Sequence, residues 1–520
     1  MQAGENDSGE PDRPRDGAPE HTVWRYAMAR RARVVVDAAD YFDVMRQAMV
    51  EARQRIFMIG WDFDSRILLS SGRRWWQLPR KGRFPARLGS FIVWLVRHNR
   101  RLEVLLLKWN FSLVKSLTRG TMVIDLIRWA LRSRIDFKFD AAHPIGCSHH
   151  QKIVVIDDVF AACGGIDMTS DRWDTPEHLP GDPRRKLPGT GGLYGPWHDL
   201  TMVMEGEIAA VLGELGRDRW EVAGGSELPP CAPQTQTPWP DELEAQFENV
   251  EIGIARTRAA YRDCPQVSEI EDLFVDQIRR ARRFVYVETQ YFASRRIAEA
   301  ILERLEQPDC PEFCIINPLE ADGWLEQVAM DTARVELVRT LATADPDGRF
   351  RIFTPFAADG TPIYVHAKLM IVDDAILRVG SANMNNRSMG LDSECDVFID
   401  AARPANAHVG PAITALRHQL LAEHCGVPVE RVVEGLERHG SMAAMIDALN
   451  DPAPPNPKHL APLALKDISE AERAVGSSGV LDPERPEEIF EPIDKRGLFR
   501  RDGKLVRVRL MQNLRKRIAR

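Results

Sequence analysis

The amino-acid sequence predicts an α/β protein made of two similar halves, and three observations support this fold class. A polar motif occurs twice with the same spacing, first as His150, Lys152 and Asp157 and then as His366, Lys368 and Asp373. The apolar runs around the motif also occur twice. These runs alternate with stretches of helical periodicity, which is the pattern of a repeated α/β unit. With 520 residues, of which 44% are hydrophobic, the chain is long enough for two sizeable cores.

The spacing of the motif is the same in both copies. Lys follows His by two positions, Asp by seven, a glycine by fourteen and a polar residue by seventeen. The later positions are Gly164, Gly165 and Asp167 in the first copy and Gly380, Ser381 and Asn383 in the second. A single His-x-Lys match is common and carries little information. The full spacing found twice indicates that the chain carries one catalytic half in duplicate.

Each motif adjoins a predicted strand. Residues 153–156 and 369–372 are continuous apolar runs that end at an aspartate, as buried strands do before a turn. Side chains two positions apart on a strand share a face, so each His and its Lys should project together from one edge of the sheet. Asp157 and Asp373 complete the catalytic motif, but their place at the strand ends favours a turn and scaffold role over an acid–base role.

The repeat and the composition set the expected boundaries. Matching strands are predicted at 55–62 and 283–290, at 102–107 and 313–316, and at 198–203 and 393–398. The expected units are a disordered N-terminal tail at 1–22, a first half at 23–221, a Pro-rich linker at 222–245, a second half at 246–450, and an extended, partly disordered tail with a basic end at 451–520. A Gly- and Pro-rich insertion at 175–196 is expected to lie over the mouth of the site.

These residues resemble the phospholipase D superfamily, whose signature is a duplicated His-x-Lys-x4-Asp. The likeness extends through residues 149–152, 164–167 and 171–174 in the first copy and through 363–368, 380–383 and 386–389 in the second. These strings are similar to phospholipases of the eukaryotic type and their bacterial relatives. Ala367 departs from the pattern, because that branch often has Ser there. The resemblance implies two pseudo-symmetric phospholipase D-like α/β sandwich domains that form one shared active site.

The paired motifs indicate phosphodiester chemistry. One imidazole attacks phosphorus while the other protonates the leaving alcohol, and water or an alcohol then displaces the phosphohistidine intermediate. The two lysines would neutralise the phosphoryl oxygens in place of a metal, so no cofactor is expected. Ser381 and Asn383 are expected to add hydrogen bonds, and Gly164 and Gly165 to permit close approach of the backbone.

A nucleophilic histidine needs its far ring nitrogen engaged, so that the near nitrogen is basic and correctly aimed. Asp199 and Glu394 occupy matching places on the strand after each motif, and we assign them to this role for His150 and His366, in that order. Resemblance to the superfamily supports an acidic residue at this place. By resemblance to relatives in which the first-copy His attacks, His150 is the nucleophile and His366 the general acid.

The extended motif strings favour a glycerophospholipid substrate, cleaved to phosphatidate and a headgroup alcohol, with transfer to another alcohol as a further activity. A phosphatidyltransferase of the cardiolipin synthase sort is the alternative within the same chemistry. A nucleic-acid phosphodiesterase or binding protein is the alternative of another class. The net charge of −7 and the lack of a basic, aromatic-rich strand pattern argue against nucleic acid as a partner. The oligomeric state is left open.

Charge and cysteine content add further expectations. Residues 495–520 hold eleven Lys or Arg against one acidic residue, so an anionic membrane surface is a candidate partner for this tail. No signal peptide or membrane-spanning run is found, which predicts a cytoplasmic or peripheral membrane protein, with signal-independent secretion left open. The eight cysteines form no Cys-x-x-Cys pair. A zinc site beside the first motif is weighed against buried packing for Cys147, Cys163, His143, His149 and His150.

Overall fold

The fold is taken from a computed structural model of the chain. It describes residues 18–70, 84–110, 120, 122–321, 324–451, 458–465 and 482–483. Most of the predicted N-terminal tail and the whole basic end at 495–520 lie outside these ranges. Within the described residues, no helix combines the length and the apolar character that crossing a membrane requires.

The described strands share one sheet, apart from the short pair β7 and β14. They are β1 (Arg25–Val36), β2 (Arg55–Gly60), β3 (Glu103–Trp109), β4 (Ile135–Asp140), β5 (Ile153–Ile156), β6 (Phe160–Gly164), β7 (Trp197–His198), β8 (Leu200–Gly206), β9 (Phe247–Arg258), β10 (Val267–Ser268), β11 (Phe284–Thr289), β12 (Glu312–Ile316), β13 (Phe350–Phe356), β14 (Tyr364–Val365), β15 (Lys368–Val372), β16 (Ile376–Gly380), β17 (Glu394–Asp400) and β18 (His459–Pro462).

Helices cover both faces of the sheet. They are α1 (Ala38–Glu51), α2 (Leu88–His98), α3 (Met122–Ala130), α4 (Glu207–Val222), α5 (Glu269–Arg280), α6 (Arg295–Leu305), α7 (Trp324–Ala344), α8 (Asn386–Gly390), α9 (Gly410–Cys425), α10 (Val429–His439) and α11 (Met442–Asn450). Two short 3₁₀ helices lie at Glu20–Thr22 and Pro404–Asn406.

The sheet shows the duplication directly. β1 and β9 lie side by side at its centre and are antiparallel, with Arg25 opposite Ile254. Outward from this pair, the first half continues as β8-β6-β5-β2-β3-β4 and the second as β17-β16-β15-β11-β12-β13. In each half the three outermost of these strands are parallel and the rest are antiparallel. The predicted fold class of two pseudo-symmetric α/β halves is therefore confirmed, and the two halves share one sheet.

β2 and β5, and the matching strands β11 and β15 of the second half, are mainly apolar because both faces of the sheet are covered there. Along β2, Phe57 and Ile59 face a core shared by both halves, while Ile56 and Met58 face the core under α1 and α2. Along β11 the alternation is the same, with the outer core lying under α5 and α6. Strands buried on both faces have continuous apolar runs rather than alternating ones, as the sequence around each motif shows.

The motif aspartates hold the backbone of a neighbouring strand. Asp157 and Asp373 follow β5 and β15 with φ of 54° and 53°, in the left-handed turn conformation. The carboxylate of Asp157 accepts from the backbone N–H groups of Arg53, Gln54 and Arg55, each at 2.7 Å. Asp373 accepts from the equivalent groups of Arg282, Arg283 and Phe284 at 2.6 to 2.9 Å. Although both complete the catalytic motif, they lie at the far end of the strand from the histidines and serve as scaffold residues.

The linker and part of the C-terminal segment contact the two halves. At 222–245 the chain runs along the first half, where Pro229 O accepts from the Arg55 guanidinium at 2.8 Å and Trp239 is buried against Phe160. In the C-terminal segment, β18 pairs with β13 in the second half. Asp482 accepts from the backbone N–H of Arg387 at 2.8 Å.

Replacing Asp157 tests the scaffold role. Asp157→Ala should lower the free energy of unfolding by about 2 to 3 kcal/mol, because three backbone donors lose their acceptor at once. Urea denaturation followed by circular dichroism measures the change, and Asp347→Ala on the exposed surface is the control. A midpoint for Asp157→Ala equal to that of the control would show that these hydrogen bonds do not stabilise the turn.

Candidate active site

The two motif histidines meet where the halves exchange short segments. His150 lies just before β5, and its backbone N–H donates to Ser393 O at 2.9 Å. His366 lies just before β15, and its N–H donates to His198 O at 2.8 Å. β7 and β14 pair in parallel next to this contact. Each motif histidine thus forms a backbone hydrogen bond with the other half. The acceptor lies just before β17 for His150 and just before β8 for His366.

This exchange crosses the carboxylate partners. Nδ1 of His150 lies 3.0 and 3.1 Å from the two carboxylate oxygens of Glu394. Nδ1 of His366 lies 2.7 Å from Asp199 Oδ2. The two acids assigned from the sequence do engage the far ring nitrogens, but the assignment of Asp199 to His150 and of Glu394 to His366 is wrong. Each imidazole is aimed by the half that does not contain it, which leaves its Nε2 for chemistry.

Residues at the matching positions Gly165 and Ser381 fit the different lengths of the two acids. A Cβ on Gly165 would lie 2.0 Å from Asp199 Oδ1, so only glycine leaves room for that carboxylate. In the second copy the hydroxyl of Ser381 instead donates to Glu394 at 2.5 Å. The hydroxyl expected to bind the substrate is therefore engaged with the carboxylate that contacts His150. Gly164 allows its strand to lie close to the backbone of Thr201, because a Cβ added at Gly164 would lie 2.4 Å from Thr201 Cα.

Both motif lysines are buried beside the histidines. Lys152 Nζ donates to His150 O at 2.7 Å and lies 3.5 Å from a carboxylate oxygen of Asp167. Lys368 Nζ donates to His366 O and to Gln290 Oε1, the latter at 3.1 Å. Asn383 Nδ2 donates to the same Gln290 oxygen at 3.3 Å. Of the polar residues seventeen positions after each histidine, Asp167 therefore contacts the lysine of its own copy, whereas Asn383 contacts the Gln290 oxygen that accepts from Lys368.

Burial sets the protonation of the imidazoles. It lowers the pKa of His150 well below its ordinary value, and the charges of Lys152 and Lys368 lower it further. Burial also lowers the pKa of His366 well below that value, with added effects from Lys368 and Arg172. Both rings are therefore neutral at pH 7, as a nucleophilic imidazole must be. Burial brings the pKa of Lys368 down to about 7.

The same burial acts on the carboxyl groups in the opposite direction. It raises the pKa of Glu394 to about 8, against the effect of Lys152 and of hydrogen bonds from two serine hydroxyls. It raises the pKa of Asp199 to about 6, against the effect of Lys368. Removing a carboxylate from water disfavours its charge, just as it disfavours the charge of an imidazolium. Burial also disfavours the charged forms of Lys368 and of the two imidazoles in the free site. A substrate that carries negative charge would stabilise these cations.

Three aromatic and cationic neighbours of His366 complete the site. The Trp197 ring lies 5.2 Å from the His366 ring and stacks on Tyr364 at 4.6 Å. The Arg172 guanidinium lies over the Trp197 ring at 4.1 Å, which adds a third cation near the two lysines. Sequence reasoning missed these contacts and that of Gln290, because no fixed spacing from the motif marks them.

Family comparison agrees with this geometry. The family model described as "Phospholipase D" matches residues 48–298, and the model described as "Cardiolipin synthase, PLD-like domain" matches residues 274–410. The chain belongs to the phospholipase D superfamily.

Curated relatives of this superfamily member are named phospholipase D, and their sequence identity to it is low. Phospholipase D alpha 1 of Carica papaya is 23% identical over 403 residues, covering 54% of this chain and 49% of the relative. Phospholipase D1 of Schizosaccharomyces pombe is 23% identical over 508 residues, covering 78% of this chain and 36% of the relative. The chain thus spans about half the length, or less, of these curated relatives. Among solved structures, the phosphatidylserine synthase of Haemophilus influenzae Rd KW20 matches with 13% identity and a TM-score of 0.49, covering 81% of this chain and 96% of that one.

In the described part of this superfamily member, the residues weighed for a zinc site beside the first motif do not form one cluster of ligand atoms. Cys147 packs with Ala259 and Leu391, and Cys163 donates its thiol to Cys395 O at 3.4 Å. Among the described residues, the side-chain groups close enough to hold a metal ion include neither of these two cysteines. Both cysteines are buried, as the alternative of buried packing predicts.

The insertion at 175–196 is hydrogen-bonded to Asp174, the residue that precedes it. Arg185 is 1% exposed and donates to both oxygens of Asp174 at 3.0 and 3.1 Å. The backbone N–H of Trp197 donates to the same carboxylate at 2.9 Å. The insertion is therefore linked through Asp174 to the backbone of Trp197, whose ring lies next to that of His366.

A single methyl group at Gly165 should disable the site. Gly165→Ala would displace the Asp199 carboxylate and misalign His366, so turnover should fall by roughly 100-fold, the cost of a misplacement near 1 Å. Hydrolysis of bis(4-nitrophenyl) phosphate measures the effect. Gly195→Ala is the matched control, because a Cβ there would meet nothing within 4 Å. Equal turnover in the two variants would contradict the close fit of Asp199 against Gly165.

Proposed function

We propose that this protein is a phospholipase D-like phosphodiesterase that cleaves glycerophospholipids to phosphatidate and a headgroup alcohol. The observation that carries the proposal is the pair of crossed carboxylate–imidazole contacts, His150 with Glu394 and His366 with Asp199. Two neutral imidazoles, each with Nδ1 engaged and a buried lysine alongside, form a site suited to a two-step displacement at phosphorus. The names of the curated relatives support the choice of a phospholipid.

In the first step, Nε2 of His150 attacks phosphorus and the bond to the headgroup oxygen breaks. The leaving alkoxide takes a proton from Nε2 of His366, which must therefore be protonated when substrate is bound. An anionic phosphodiester beside the ring favours the imidazolium and offsets the depressed pKa of the free site. Water or an alcohol then attacks the phosphohistidine and gives its proton back to His366, so that the atoms and charges balance over the cycle.

The assignment of His150 as the nucleophile is supported by accessibility. The side chain of His150 is 17% exposed, whereas that of His366 is 7% exposed. Nδ1 of His150 also faces three acceptors, both Glu394 oxygens and Ser381 O at 3.0 Å, which stabilise the charge that develops on the attacking ring.

The lysines stabilise the charge that builds on the phosphoryl oxygens. Lys152 and Lys368 come from opposite halves, so they can contact different oxygens of one phosphorus. Because both are buried, their electrostatic interaction with that charge is screened less than it would be in water. Arg172 adds a third cation on the side of His366.

A phosphatidyltransferase remains the second candidate, because the matched model over residues 274–410 is described as cardiolipin synthase-like. The same phosphohistidine serves both reactions, and only the acceptor differs. A product analysis therefore decides between them.

Incubation with mixed-headgroup liposomes and 1-butanol tests the proposal. We expect phosphatidate together with phosphatidylbutanol, because both acceptors can reach an open phosphohistidine. His150→Ala should form neither product, whereas His439→Gln on the exposed surface should match the wild type. Formation of phosphatidylbutanol without phosphatidate would favour the transferase. Absence of any lipid product, with continued cleavage of bis(4-nitrophenyl) phosphate, would contradict the substrate class.

Acid trapping tests the role of His150. Quenching during turnover of a phosphate-labelled lipid, followed by peptide mapping, should place the label on the peptide that contains His150. With bis(4-nitrophenyl) phosphate, whose leaving group departs without a proton from His366, His366→Ala should increase the trapped fraction, because the intermediate then lacks the base that activates water. Label on the peptide that contains His366 would reverse the two assignments.

A further inference from the structure

A second cluster of ionisable side chains lies behind the active site. Asp37 lies between β1 and α1, His178 in the insertion at 175–196, His198 in β7 and Glu423 in α9. Asp37, His178 and His198 are fully buried, and the side chain of Glu423 is 10% exposed. These four residues come from four separate segments of the chain, and the proposed phosphodiester chemistry uses none of them.

The donor atoms of the cluster converge on one point. His198 Nδ1 lies 2.9 Å from Glu423 Oε1 and 3.3 Å from Asp37 Oδ1. His178 Nε2 lies 3.2 Å from Glu423 Oε1 and 3.6 Å from Asp37 Oδ2. Two ligands that each bind a tetrahedral ion at about 2.0 to 2.1 Å are roughly 3.3 to 3.4 Å apart, which is the middle of this range.

The opposite nitrogen of each imidazole is backed by a further carboxylate. His178 Nδ1 lies 2.9 Å from Asp174 Oδ2, and His198 Nε2 lies 2.8 Å from Glu288 Oε2. Glu288 is itself held by the hydroxyl of Tyr286 at 2.6 Å. Histidines that bind a metal usually donate their other N–H to a carboxylate, which fixes the tautomer and turns the lone pair towards the ion.

Two of the converging atoms lack a hydrogen bond. Asp37 Oδ2 and His198 Nδ1 are buried and form none of acceptable geometry, although both point at the other members of the cluster. Buried polar atoms of this kind call for an explanation, since most are satisfied. An ion shared by the four residues would satisfy both atoms.

The charged side chains around the cluster also have an excess of negative charge, which a cation would balance. Asp37, Asp174, Glu288 and Glu423 supply four carboxylates. Arg185 donates to Asp174, and Lys458, which donates to Pro176 O at 2.6 Å, lies near the same acids. These two cations offset half of the negative charge, so a divalent ion would balance the remainder.

We propose that Asp37, His178, His198 and Glu423 bind one divalent transition-metal ion in a structural site. Two imidazole nitrogens and two carboxylate oxygens at tetrahedral spacing suit Zn²⁺ better than a hard ion such as Mg²⁺. The ion would tie the insertion and α9 to β7, whose His198 carbonyl accepts from the backbone of His366. It would stabilise the framework of the active site and would not contact the substrate.

Metal content of the full chain tests this site. Protein stripped with a chelator, incubated with Zn²⁺ and desalted, should retain about one equivalent of metal by mass spectrometry. The double variant Asp37→Asn/His178→Ala should retain less than about a tenth of an equivalent. His424 is buried and its Nε2 lies 3.0 Å from Glu288 Oε1, so it is a neighbour of the cluster but not one of the four ligands. His424→Gln, and His439→Gln on the surface, should retain metal like the wild type.

Two further results keep the test independent of how the variants fold. Wild-type protein loaded with Co²⁺ should show the strong visible absorption of a tetrahedral ion, and Zn²⁺ should raise its thermal midpoint. Wild-type protein that retains no metal would overturn the proposal and leave His178 and His198 as protonated partners of the four acids. Equal retention by the wild type and a folded double variant would also overturn it. None of these measurements depends on lipid turnover.

Discussion

The hydrogen bonds that cross between the halves, from His150 to Glu394 and from His366 to Asp199, are the constraint on which the active site depends. Neither motif histidine is oriented by a carboxylate of its own half, so neither half alone holds a correctly aimed motif histidine. The central pairing of β1 with β9 and the small ladder of β7 with β14 bring the partners together. The duplication therefore builds one site from two incomplete ones.

Burial gives this arrangement its chemical character. Two lysines, two imidazoles and two carboxylates share a volume with little access to water, and each charged form costs free energy there. The imidazoles are neutral as a result, and the carboxyl pKa values are raised. Hydrogen bonds from Ser381 and Ser388 to Glu394 recover part of that cost. In the proposed reaction, an anionic phosphodiester would stabilise the buried cations of the site.

Local pattern predicted much of the fold, because strands buried on both faces give continuous apolar runs and a repeat gives the same runs twice. The same logic placed the motif histidines and lysines together, and placed Asp157 and Asp373 at turns. The crossing of Asp199 and Glu394 could not be predicted, since it arises from pairing between segments far apart in the chain. Spacing also gave no sign of Gln290 and Arg172, or of the cluster of Asp37, His178, His198 and Glu423, whose members come from four separate segments.

Selective ¹⁵N labelling of histidine tests the crossed pairing most directly. The chemical shifts of the ring nitrogens report the tautomer and the hydrogen bond at Nδ1, and single variants assign the signals of His150 and His366. Glu394→Gln should shift the His150 signals and leave those of His366 in place, whereas Asp199→Asn should do the reverse. A shift of the His150 signals in Asp199→Asn, with His366 unaffected, would show that each half orients its own histidine and would contradict the shared site.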